Sequence, residues 1–139
     1  MKTKFDSVVK VKKQQVDKIQ NNIQKINKAI IDLNDKIEAL RASLLKLTFP
    51  KSGNFSEITQ INTQKKVIRD EIDILNNQIN TLTARKNELL SELKKAKIEY
   101  EKMKYLQGEE IKKQIKEMKL KEAREMDEIA ILLKNGKIE

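Results

Sequence analysis

Apolar residues recur along the start of the chain at steps that alternate four and three: Phe5, Val9, Val16, Ile19, Ile23, Ile26, Ile30, Leu33, Ile37, Leu40, Leu44 and Leu47. Lys12 fills the one missing slot, so twelve of thirteen positions are apolar. This is a heptad seam, with Val9, Val16, Ile23, Ile30, Ile37 and Leu44 at a and the others at d. It predicts one amphipathic helix over about residues 4–48. The seam stops at Thr48, Phe49, Pro50, Lys51, Ser52, Gly53 and Asn54. Pro50 disfavours helix at Phe49, and Gly53 is free to take a left-handed turn, so a loop is expected over about 49–54. Asn54 with Glu57 three residues later reads as a helix start with a capping-box partner.

A second seam begins at once: Ile58, Ile61, Lys65, Ile68, Ile72, Leu75, Ile79, Leu82, Lys86, Leu89, Leu93, Ala96, Tyr100 and Met103. Twelve of these fourteen slots are apolar. Two amphipathic helices joined by a short loop fold back on each other, and the predicted fold is all-α, an antiparallel coiled-coil hairpin forming a single domain. Laid against each other from the loop outward, the seams pair Leu47 with Ile58, Leu44 with Ile61, Leu40 with Lys65, Ile37 with Ile68 and Leu33 with Ile72, ending with Val9 against Ala96 and Phe5 against Tyr100. Each a faces a d. The three seam lysines fall opposite Leu40, Ile19 and Leu93, where their stems cover a partner while the ammonium reaches water.

The second helix is the longer, running over about 55–134 to a stop at Asn135-Gly136. After Met103 the steps become Gln107, Ile111 and Ile115, all fours, and Gly108 lies in that phase break. A glycine inside a helix costs about 1 kcal/mol relative to alanine, so a bend near 108 is expected. Beyond it Ile111, Ile115, Met118, Met126, Ile129 and Leu133 form a looser apolar stripe. In the predicted pairing the first helix has run out before this segment, which leaves residues 111–133 for a partner protein or for self-association.

Composition narrows the chemistry. Among 139 residues there is no Cys and no His, which removes disulfides, thiolate nucleophiles, imidazole bases and thiolate or imidazole metal sites. With three Gly and one Pro there is no Gly-rich phosphate loop. The closest acids, Asp70, Glu71 and Asp73, point in different directions on a helix and read as solvated surface. No enzyme activity, cofactor, metal or small-molecule substrate is expected.

The formal charge of +9 is unevenly placed. Residues 1–50 carry 11 basic and 5 acidic groups, whereas residues 51–100 carry 9 and 7 and residues 101–139 carry 10 and 9. The excess therefore sits at the N-terminal end, around Lys2, Lys4, Lys10, Lys12 and Lys13. No apolar run follows these lysines as in a secretory signal, and no stretch approaches the roughly 20 residues needed to span a bilayer, so the simplest address is the cytoplasm. Two surfaces stand out as candidate docking sites: the basic open end of the hairpin, and an apolar patch of Leu45, Phe49 and Phe55 at the loop. The open end suits an acidic protein surface. Basic hairpins also grip RNA backbones, but the second-helix extension is nearly neutral and no aromatic stacking platform is present, which argues against nucleic acid.

With its two unequal helices, its start KFDSVVKVKK over residues 4–13 and its tail KEAREMDEIA over residues 121–130, the chain resembles the FliJ family of bacterial flagellar export proteins. It departs from the family in its very low aromatic content. The resemblance implies a cytoplasmic component of the flagellar type III export apparatus, similar to the central stalk of rotary ATP synthases. Its implied partners are the hexameric export ATPase ring, the membrane export gate protein and export chaperones, with peripheral association at the inner membrane. By analogy and charge placement, Lys2, Lys4, Lys10, Lys13, Lys121, Arg124 and Asp127 are assigned to the ATPase ring, and Leu45, Phe49 and Phe55 to the gate. The alternatives are a non-flagellar type III secretion stalk, an RNA-binding hairpin and a generic adaptor.

Overall fold

The computed structural model describes residues 1–51 and 53–138, with side chains described as far as Gly136; Ser52, one of the predicted loop breakers, lies outside the described residues. Two helices make up the fold, α1 over Asp6–Lys46 and α2 over Phe55–Ile138, 41 and 84 residues long, packed as an antiparallel hairpin. Their first turns carry Asp6 and Glu57, and α1 closes on Lys46, each charge opposing the local end of the helix dipole. α1 ends two residues before its predicted limit, in a tight turn where the Leu47 amide donates to the Leu44 carbonyl at 3.2 Å. The chain divides into two compact units, which are described separately: Asp17–Lys94, containing the loop, and Met1–Val16 with Lys95–Glu139, containing both termini.

In the loop unit the seam residues behave as the heptads require. Ile23, Ile37 and Leu89 are buried, and the remaining slots are half-buried except Ile58. A two-helix packing offers each side chain only one neighbouring helix, which is why most slots stay half-buried and near-complete burial is reached at Ile37 and Leu89, both 2% exposed. α2 starts on Asn54, whose side-chain oxygen accepts the Glu57 amide at 2.9 Å. Gly53 does not adopt the left-handed conformation expected of it, since no described glycine has positive φ. Its lack of a side chain answers a steric demand instead, because a Cβ there would run into the Pro50 ring.

The seams pair in a different register from the expected one. Asp6 is hydrogen-bonded to Gln107, although its neighbour Phe5 was expected at the level of Tyr100, seven residues earlier. Lys13 lies over the Tyr100 ring at 5.7 Å, Lys65 over the Phe49 ring at 4.4 Å, and Leu33 shares a groove with Gln78, Thr81 and Leu82. All four contacts correspond to a slip of one heptad along α2. A heptad slip returns every a and d slot to an equivalent one, so the apolar pattern scores both registers almost alike. What separates them is local: the slip carries Lys12 onto Tyr100 and Lys65 onto Leu47, and again leaves no layer polar on both sides. It also explains Ile58, which is left beside the loop with no helix against it.

The unit containing the termini shows the other consequence. α1 and the residues before it reach farther along α2 than the expected register allows. Gln107, Glu110, Ile111, Gln114 and Ile115 are all half-buried, and the Gln114 side-chain amide donates to the Lys2 carbonyl at 3.1 Å. The seam therefore continues past Met103 on polar residues, which the apolar pattern could not register. The unpartnered part of α2 begins after Ile115. α2 stays helical through Gly108, and beyond the neighbouring backbone of the helix itself no atom lies within 4 Å of a Cβ placed there. Nor does Asn135-Gly136 end the helix, which runs on to Ile138, because neither residue turns to positive φ and nothing packs near Gly136 to favour a sharp stop.

Two outcomes follow from this packing. A chain carrying Val16→Cys with Ala96→Cys closes an internal disulfide under mild oxidation, read as a mobility shift on non-reducing electrophoresis, whereas Val9→Cys with Ala96→Cys does not. Gly108→Ala raises the midpoint of thermal unfolding, with a gain of about 0.5–1 kcal/mol from helix propensity alone, measured by circular dichroism.

Candidate docking surfaces

The N-terminus is built by a cap that then ties the start of the chain to α2. Thr3 Oγ1 accepts the Phe5 amide at 3.1 Å, while the Asp6 carboxylate accepts the Thr3 amide at 3.0 Å and the Thr3 hydroxyl at 2.6 Å. This reciprocal arrangement is a capping box, with Asp6 in the place usually taken by Glu or Gln. The Gln107 side-chain amide donates to the same carboxylate at 2.9 Å. Hydrogen bonds from Gln107 first, then from the Thr3 hydroxyl and the Thr3 amide, lower the Asp6 pKa from 3.8 to about 2. The pattern Thr3-Lys4-Phe5-Asp6 was readable in the sequence as a helix start. Its link to Gln107 was not, because it depends on the register.

This latch sets the positions of the N-terminal lysines. Lys2 is held near Gln114 through its own carbonyl, Lys4 lies over the Phe5 ring at 5.3 Å, and Lys13 and Lys104 lie over Tyr100, each at 5.7 Å. Lys2, Lys4, Lys10 and Lys13 are all exposed, so each pair leaves the ammonium accessible to a partner. Tyr100, expected simply to pack, is thus half-buried and flanked by cations.

Lys121, Arg124 and Asp127 belong to the same unit and are also exposed. They continue the first group along α2, because Gln114, which marks the level of Lys2, precedes Lys121 by seven residues, about 10 Å of helix. Tyr100, which marks the level of Lys13, precedes Lys121 by 21 residues on α2, about 30 Å of helix. The ring candidates therefore run along one unit from the level of Lys13, past Lys2, to Asp127. Alongside the first of them the outer face of α2 carries Ile98, Tyr105 and Leu106, which line a shallow apolar depression with Lys97 and Lys102 at its rim. That area was missed because its members fall outside the a and d slots, although Ile98 and Tyr105 are one heptad apart.

The gate candidates lie in the loop unit. Leu45 and Phe55 are 82% and 84% exposed, whereas Phe49 is 47% exposed and partly covered by the Lys65 ammonium. Asp70, Glu71 and Asp73 are exposed on α2, and no group of three potential metal ligands converges among the described residues. Among those residues no helix is long and apolar enough to cross a membrane.

Lowering the pH tests the latch. A carboxylate whose folded pKa is depressed contributes stability above its unfolded pKa and loses it as the pH falls through the folded value. The Thr3 and Phe5 amide resonances accordingly hold their positions from pH 7 to about 4 and shift as the pH falls toward 2, while Asp6→Ala shows displaced resonances throughout and no transition in that window.

The profile of the family described as Flagellar FliJ protein matches residues 1–138. No curated protein and no solved structure matches the chain.

Proposed function

The chain belongs to the flagellar FliJ family and is a component of the flagellar export apparatus; on that premise we propose that it is a non-enzymatic stalk coupling the export ATPase ring to the membrane export gate. The unit containing the termini docks on the ring. Lys2, Lys4, Lys10 and Lys13 form one contact area, and Lys121, Arg124 and Asp127 on bare α2 form the second. The loop unit presents Leu45 and Phe55, with Phe49 behind them, to the gate. Export chaperones are further partners, and the protein acts in the cytoplasm at the face of the inner membrane.

The observation that carries this reading is the family match over the whole chain, taken with the segregation of the two surfaces. The basic candidates all fall in the unit with the termini, and the apolar candidates all fall in the unit with the loop. A coupling protein needs two contact surfaces of different chemistry so that engagement of one does not compete with engagement of the other. Exposed lysines steer association with an acidic surface and confer salt sensitivity on it, whereas bare leucine and phenylalanine side chains supply contact area at short range.

Charge reversal separates the two surfaces. The triple variant Lys2→Glu, Lys4→Glu, Lys10→Glu weakens binding to the export ATPase by about tenfold or more and abolishes its stimulation, with unchanged helical content. Leu45→Ser with Phe55→Ser leaves ATPase binding intact and impairs motility when it replaces the native chain in cells. Undiminished ATPase binding and stimulation by the triple variant would refute the ring assignment.

A further inference from the structure

Beyond Ile115 nothing among the described residues covers α2, and the side chains on one of its faces form a pattern that reads the same in both directions. Met118 and Met126 lie four residues either side of Glu122, Ile115 and Ile129 seven, and Ile111 and Leu133 eleven. At 100° per residue all six fall within about 40° of Glu122 on the helix surface. Met118, Met126, Ile129 and Leu133 are exposed, and Ile111 and Ile115 are half-buried. Reversing the helix about Glu122 superposes methionine on methionine, isoleucine on isoleucine, and isoleucine on leucine.

Charge follows the same reversal. Residues 112–124 carry six basic and two acidic groups, whereas residues 125–131 carry three acidic groups and no basic one. A second copy laid antiparallel sets each basic stretch against the other's acidic stretch. On one side of the stripe this places Lys121 of each chain next to Glu125 and Glu128 of the other. A parallel arrangement would instead stack basic on basic and acidic on acidic.

We propose that the bare end of α2 is a self-association surface, on which two copies of this chain pair antiparallel about a twofold axis at Glu122. A contact made with an unrelated partner has no reason to be palindromic in spacing, residue type and charge, whereas a twofold homodimer requires that symmetry. The two Glu122 carboxylates meet at the axis between four methionines, an unfavourable element that keeps the dimer weak and reversible. The paired segment includes Lys121, Arg124 and Asp127. The dimer and the ring contact proposed for these residues therefore exclude each other, and pairing holds the chain in a form withdrawn from the ring. The inference itself does not depend on that contact.

The native chain contains no cysteine, so single cysteines report the geometry without interference. Sedimentation of the full chain shows a reversible dimer at concentrations on the order of 100 µM, and Met126→Glu returns it to monomer with unchanged circular dichroism. Oxidised Glu122→Cys chains cross-link to a covalent dimer. Ile115→Cys chains cross-link only when mixed with Ile129→Cys chains. A monomer across the concentration range, a dimer that survives Met126→Glu, or self-cross-linking of Ile115→Cys would each overturn the proposal.

Discussion

Everything in this structure depends on one narrow strip of apolar contact between two helices. With no sheet and no third helix among the described residues, the seam is their whole core, and its members gain at most about 1.5–3 kcal/mol each from burial because most stay partly open to water. Stability must therefore come from length, through many modest layers in series. That requirement accounts for the composition: a core of Ile, Leu and Val side chains of similar size, few aromatics, and charge on the remaining two thirds of each helix surface. The exposed ion pairs Glu38 with Arg41, Arg85 with Glu88 and Glu109 with Lys112 lie within single helices and support them locally without choosing a partner.

A seam of repeating heptads specifies its face strongly and its register weakly. For this reason the two helices, their order, their antiparallel pairing and the buried positions could be read from the spacing of apolar residues, whereas the alignment could not. Periodic burial is nearly unchanged by a shift of seven residues. The features that distinguish the alternatives occur once each: Tyr100 beside Lys12 and Lys13, Phe49 beneath Lys65, and Asp6 bonded to Gln107. Two are contacts of cations with rings and one joins polar side chains, so a pattern of hydrophobic positions does not register them. The helix stop at Gly136 was misread for a related reason. Gly108 and Gly136 carry a propensity cost, but inside a long helix that cost is too small to break the hydrogen-bonded ladder on either side.

The register determines what each surface offers. With α1 advanced one heptad, the N-terminal residues reach Gln114, the capping box locks against α2, and the basic N-terminus becomes a positioned surface where a frayed tail would otherwise be expected. The sequence showed where the lysines were concentrated. It did not show that Lys2 and Lys4 are held by a latch, or that Lys2 is brought to within about two helical turns of Lys121. Phe55 stands exposed because the slip leaves the start of α2 without a helix to pack on, and Leu45 because it falls outside the a and d slots. Family membership and this distribution of surfaces support the proposed coupling role, with the basic candidates on one unit and Leu45, Phe49 and Phe55 on the other.

Amide hydrogen exchange on the full chain, with and without the hexameric export ATPase, tests the coupling assignment most directly. Docking through the unit with the termini predicts new protection at residues 1–16 and in α2 from about 98 to 130, with residues 45–58 unchanged. Protection confined to residues 45–58 would contradict it.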